Sequence, residues 1–144
     1  MHRILVAVDG SQRSERAVSY LIGLIKDGGL LGGRTEIHLL NVVPELPLRI
    51  STSMNSEELD RYYQDRSAPD CRAAMLLLDK EGVTYVRHTR IGNAAYNIVA
   101  CARETHCDSI LMGTHGAGRV SDILLGSVTT KVIQLTEIPV SLVK

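Results

Sequence analysis

The sequence predicts a single α/β domain: a five-stranded parallel sheet in the order 3-2-1-4-5, with helices on both faces. Three observations predict it. Short apolar runs alternate along the 144 residues with segments whose apolar residues recur at helical spacing. The runs are apolar throughout rather than at every second position, the pattern of strands buried on both faces. The third observation is where the turn-forming residues fall. "DGS" (9–11) ends the first strand, and a glycine-rich stretch (113–127) follows the fourth, whereas the third ends plainly in "IGNA". Ligands of doubly wound sheets sit outside the carboxyl ends of strands where the winding reverses. The order 3-2-1-4-5 puts that reversal between strands 1 and 4. The other common order, 2-1-3-4-5, puts it between strands 1 and 3.

The elements follow in sequence. "RILVAV" (3–8) is the first strand. Ala17, Leu21 and Leu24 share one face of the first helix, with Val18, Ile22 and Ile25 beside them, and Ser11 is placed to cap it. "GGLLGG" (28–33) ends that helix. "TEIHLLNVV" (35–43) is the second strand, closed by Pro44, and 45–54 reads as a loop. From Asn55 to Glu81 the pattern is helical. Pro69 lacks the N–H for an i to i−4 bond and disfavours helix at Ala68, which predicts a break, with Ser67 capping a second helix through Leu78. "VTYVRHTRI" (83–91) is the third strand, 94–105 the third helix of the alternation, and "CDSILMG" (107–113) the fourth strand. Val128, Val132 and Leu135 mark a last helix, and "IPVSLV" (138–143) the fifth strand.

Composition removes several function classes. Sixteen basic residues balance sixteen acidic ones, so no basic excess points to nucleic acid. No apolar run has the length of a membrane span, and "MHRILVAVDG" lacks the features of a signal peptide. Cys71, Cys101 and Cys107 are odd in number and lack C-x-x-C spacing. They read as packing residues of a cytoplasmic protein rather than a disulfide framework or zinc site. His2, His38, His88 and His106 are scattered and form no metal cluster in the sequence.

The glycine-rich stretch carries the chemistry. Glycine lets backbone N–H groups turn inward and lets a ligand approach where a Cβ would stand. Inward N–H groups at a helix start form an anion site, helped by the helix dipole. Gly126 and Ser127 stand at such a start. Arg119-Val120 replaces the Lys-Ser/Thr of a Walker A loop, and there is no G-x-G-x-x-G. From spacing alone, a phosphate site and a surface loop with ordinary capping residues both remain open. Asp9 likewise either meets a ligand or begins a turn with Gly10 and Ser11. His115 and Arg119 lie within reach of a phosphate in the first reading and are solvated in the second.

The stretch also resembles the universal stress protein family, in its ATP-binding subgroup. That family carries G-x2-G-x9-G-(S/T), matched here by Gly113-Thr-His-Gly116, nine residues, then Gly126-Ser127. "ILVAVDGSQRSERAV", "LLNVVPE", "IGNAAYNIVACARETHCDSILMG" and "IPVSLVK" extend the resemblance over nearly the whole chain, weakest across 44–70. Asn41 stands where a His is frequent and Ala94 where a Pro is frequent. The resemblance implies an adenine-nucleotide-binding α/β sandwich with ATP, with or without Mg²⁺, as ligand. It assigns Gly113, Gly116, Gly126 and Ser127 to the phosphate and ribose loop. Asp9 becomes the acidic residue ending strand 1, and Val42 the position whose backbone recognises adenine.

No catalytic constellation is visible. ATP hydrolysis needs a positioned water, a charge-stabilising Lys or Arg and held Mg²⁺, and only Asp9 and Arg119 are candidates. The expectation is a nucleotide-dependent stress-response module with little turnover, acting on a protein partner the sequence does not name. A slow ATPase or adenylating enzyme, and a nucleotide-free dimeric scaffold, are the alternatives. The last strand is a short apolar edge, which invites another chain. Together with the resemblance it implies a homodimer paired through this strand.

Overall fold

The structure, a computed structural model, describes residues 1–28, 34–114 and 125–144. The elements run β1 (His2–Ala7), α1 (Gln12–Lys26), β2 (Thr35–Val43), α2 (Leu48–Ser51), α3 (Ser56–Lys80), β3 (Val86–Ile91), α4 (Ala94–Glu104), β4 (Ser109–Gly113), α5 (Ser127–Leu135) and β5 (Val140–Val143). The strands form one all-parallel sheet in the order β3-β2-β1-β4-β5. This is the order expected from the two turn-rich strand ends.

Alternate residues of β1, β2 and β4 feed opposite cores. Ile4, Val6, Ile37, Leu39 and Leu111 pack with α1 and α3 through Ala17, Leu21, Ala74 and Leu78. Leu5, Leu40, Ile110 and Met112 pack with α4 and α5 through Ile98, Ala102 and Val132. Both faces are buried, so an apolar residue is needed at nearly every position of β1, β2 and β4.

Three expectations change. Helix α3 is continuous across Pro69. The carbonyl that loses its partner belongs to Asp65, and Asp65 and Pro69 are both exposed, so water can satisfy it. Tyr63, Ser67, Cys71, Ala74 and Leu78 anchor the other side of the helix on both sides of the proline. Ser67 caps nothing. It is fully buried, with its Oγ 3.4 Å from Thr89 Oγ1. The stretch 45–54 contains one helical turn, α2, and is tied down where the Leu46 N–H donates to Tyr63 Oη at 3.1 Å. Strand β3 begins at Val86 rather than Val83. The N–H of Val83 instead bonds the Leu78 carbonyl and closes the end of α3.

Candidate functional site

The sheet winds outward through β1, β2 and β3, then returns to lay β4 on the other side of β1. The carboxyl ends of β1 and β4 therefore splay apart over a crevice. A cleft of about 520 Å³, counting its open mouth, lies there. Ala7, Leu40, Ile98 and Met112 give it an apolar floor, and Asp9, Ser14 and Thr129 give it polar walls. An apolar base with a few convergent polar groups is the usual form of a small-molecule site.

The β1–α1 turn builds the first wall. Gly10 has φ +81°, a conformation that favours glycine. It lets Asp9 fold back so that its Oδ1 accepts the Ser11 N–H at 3.0 Å. Ser11 caps α1, its hydroxyl accepting the Ser14 N–H at 3.3 Å. Ser14 Oγ in turn donates to the Ser11 carbonyl and accepts the Asp9 N–H. Asp9 is thus a turn former that lines the cleft, and Oδ2 is the oxygen left for a ligand. Both readings weighed for it in the sequence are compatible.

Val42 lines the cleft from β2. The Leu40 carbonyl accepts from Val8, on the β1 side, and the Val43 carbonyl accepts from Gly92, on the β3 side. Alternation turns the Val42 backbone toward β1, beyond the last β1–β2 pair, Ala7 with Leu40. Asn41 supports this end. It is buried, and its Nδ2 donates to the Val8 carbonyl at 2.9 Å.

On the other side stand Gly113, at the end of β4, and Gly126–Ser127, at the start of α5. The Gly126 N–H bonds the Thr114 carbonyl at 2.9 Å, which brings the two ends of the glycine-rich stretch together. Among the described residues no side chain caps α5, which leaves its first N–H groups for whatever enters there. Ser127 is exposed at that start, and a shallow extension of the cleft between α4 and α5 is lined by Asn93, Ala94, Ser127 and Lys131. The expectations for His115, Gly116 and Arg119 lie outside the described residues.

Gly113 has a packing reason of its own. A Cβ there would stand 2.9 Å from the carbonyl carbon and the Cβ of Arg13, so α1 can approach β4 only over a glycine. Sequence reasoning missed Ser14 and Thr129. Ser14 follows Ser11 at the capping interval, which is a usable signal. Thr129 bonds a backbone carbonyl in another element, which leaves none.

The universal stress protein family profile matches residues 1–144. This chain belongs to the universal stress protein family. Among curated relatives, universal stress protein Slr1230 of Synechocystis is 27% identical over 139 residues, which are 96% of this chain but only 41% of that protein. Among solved structures, MJ0577 is 28% identical, with a TM-score of 0.78 over 99% of this chain and 95% of that one. The universal stress protein of Archaeoglobus fulgidus, solved in complex with dAMP, shares the fold at 22% identity and a TM-score of 0.66, covering 100% of this chain and 98% of that one.

No cysteine or histidine among the described residues lines the cleft. Cys71, Cys101 and Cys107 are free and buried, and burial pushes the Cys101 and Cys107 thiols up. Among the described residues no three His, Cys, Asp or Glu side chains are grouped to hold a metal ion, and no helix is long and apolar enough to cross a membrane. The histidines are less scattered than they read, because the β2–β3 register brings His38 and His88 together.

Proposed function

We propose that this cleft binds an adenine nucleotide, ATP in the first place, and that the protein is a nucleotide-dependent stress-response module with little turnover. One observation carries the reading. Asp9, Val42 and Gly113, far apart in sequence, line one cleft where the sheet reverses its winding, and Gly126–Ser127 stand beside it at the start of α5. Their chemistry suits the parts of a nucleotide. The apolar floor takes the flat base, and the Val42 backbone offers it hydrogen bonds. Asp9 Oδ2 accepts ribose hydroxyls, and the start of α5 receives phosphate. The Archaeoglobus fulgidus protein of the same fold, which holds dAMP, supports an adenine nucleotide as the class. Mg²⁺, if it accompanies the phosphates, has Asp9 as the carboxylate among the described residues that line the cleft.

Mass spectrometry of the small molecules released on denaturing the purified protein tests the reading. A stoichiometric adenine nucleotide is the expected result. A protein that carries none and shows no calorimetric binding of ATP, ADP or AMP is instead a nucleotide-free scaffold. Sustained phosphate release by the wild type, lost in Asp9→Ala, makes it an enzyme.

A further inference from the structure

The most unusual polar arrangement lies on the same sheet face as the cleft floor, one strand further out, where His88 stands in register with Leu40. Parallel β2 and β3 put His38 and His88 on the face covered by α4. His38 Nδ1 is 2.8 Å from His88 Nε2, and the rings meet with their planes 25° apart and centroids 5.1 Å apart. The other nitrogen of His38, Nε2, is 2.8 Å from Glu36 Oε1. His38 is only 5% exposed, and His88 is partly buried. Glu36 and His88 engage opposite nitrogens of His38, so the three cannot face one metal ion. What they can share is a proton.

The proton count has a ceiling. Two nitrogens 2.8 Å apart need one hydrogen between them. With Glu36 accepting from His38 Nε2–H, neutral His38 accepts at Nδ1 from His88 Nε2–H. One added proton fits, since it can sit on His88 Nδ1 and leave both bonds intact. A second would have to enter at His38 Nδ1, where an N–H would point at an N–H. The surrounding charges do not relieve it. Arg3 Nε from β1 lies 3.6 Å from the same Glu36 oxygen. Arg90 from β3 is paired with Glu104 of α4. Among the described residues, Cys101 of α4, and Cys107 and Asp108 ahead of β4, are the other titratable groups nearby. Burial, then His38, then Arg90 hold His88 below the ordinary histidine value.

The latch matters because of where it sits. Strand β3 is a sheet edge bonded only to β2, and none of its six residues is fully buried. We propose that the Glu36–His38–His88 chain is an acid-sensitive latch, which holds β3 against β2 while the two imidazoles carry at most one extra proton and releases it when both are charged.

The direction with pH follows from linkage. The unfolded chain charges both imidazoles near their ordinary value, whereas the fold withholds at least one proton. The latch's contribution is therefore complete above about pH 6.5 and falls as pH drops. Withholding one proton lowers the folded-to-unfolded ratio by about tenfold at one pH unit below that value.

The experiment compares wild type with His88→Gln, whose amide does not titrate and can either donate to neutral His38 Nδ1 or, turned over, accept from it once His38 is charged, so the variant withholds no proton. Chemical denaturation from pH 8 to 5 is expected to show the wild-type folding constant falling about tenfold further than the variant's. Amide exchange in 86–91, corrected for its intrinsic pH dependence, should accelerate in the wild type alone. On the wild type by itself, NMR should show that the pair takes up only one proton while β3 stays paired, with His88 charging below the ordinary histidine value. Identical pH profiles in the two proteins, or two histidines titrating independently near 6.5 with exchange at 86–91 unchanged, overturn the proposal.

Discussion

The Thr129 hydroxyl donates to the Gly113 carbonyl at 3.2 Å, and both groups are buried. This bond ties α5 to the end of β4 and fixes one side of the cleft. Thr129→Val keeps the side-chain shape and leaves that carbonyl without its partner. The expected cost is about 1–3 kcal/mol in chemical denaturation. Nucleotide affinity should fall as well, because the start of α5 is no longer held in place.

The two ends of the glycine-rich stretch separate a packing role from a ligand role. Gly113→Ala drives a Cβ into the Arg13 backbone, so it is expected to lose about 1–3 kcal/mol of stability whether or not ligand is present. Gly126 has φ −63°, which any residue adopts, so its backbone does not require glycine. If the site reads as proposed, Gly126→Val places a branched side chain where phosphate approaches. ATP affinity should then drop tenfold or more, about 1.4 kcal/mol, with far-UV circular dichroism retained. Full affinity in this variant would make the stretch a connector.

What the sequence reveals depends on how local the cause is. Strand β2 was legible to the residue, Thr35–Val43, because its apolar run is fixed by burial on both faces. The strand order was legible because a ligand crevice needs turn chemistry at two particular strand ends. Pro69 was misread because a proline breaks a helix only if the orphaned carbonyl lacks water, and the exposure of Asp65 is a tertiary fact. Asn41 could be seen only as a departure from a family pattern, since its partner, the Val8 carbonyl, lies 33 residues away. His38 and His88 stand 50 residues apart and meet only through the β2–β3 register.

Asp9 has two separable duties. Its Oδ1 orders the turn by accepting the Ser11 N–H, and its Oδ2 is assigned here to the nucleotide. Asp9→Asn keeps an oxygen for the turn but removes the charge, whereas Asp9→Ala removes both. Calorimetry should show ATP affinity reduced by about 1–3 kcal/mol in Asp9→Ala. Asp9→Asn should match the wild type in thermal stability while still binding more weakly. Wild-type affinity in both variants would leave Asp9 as a turn former only.

The free edge of β5 carries the expectation about assembly. The Ile110 N–H bonds the Pro139 carbonyl, and the Thr114 N–H bonds the Val143 carbonyl, each within 3.0 Å. Residues 139, 141 and 143 therefore spend their backbone groups on β4, and alternation leaves those of Val140 and Leu142 directed at the open edge. A row of unpaired N–H and C=O groups beside partly buried apolar side chains is a template for a second copy, and a two-fold axis would pair the strand with itself. Val140→Pro or Leu142→Pro removes an outward N–H without touching a β4–β5 bond. Light scattering should report a dimer for the wild type and a monomer for each variant, with β4–β5 amide protection preserved. An unchanged dimer mass in both variants would move the contact to another face of the molecule.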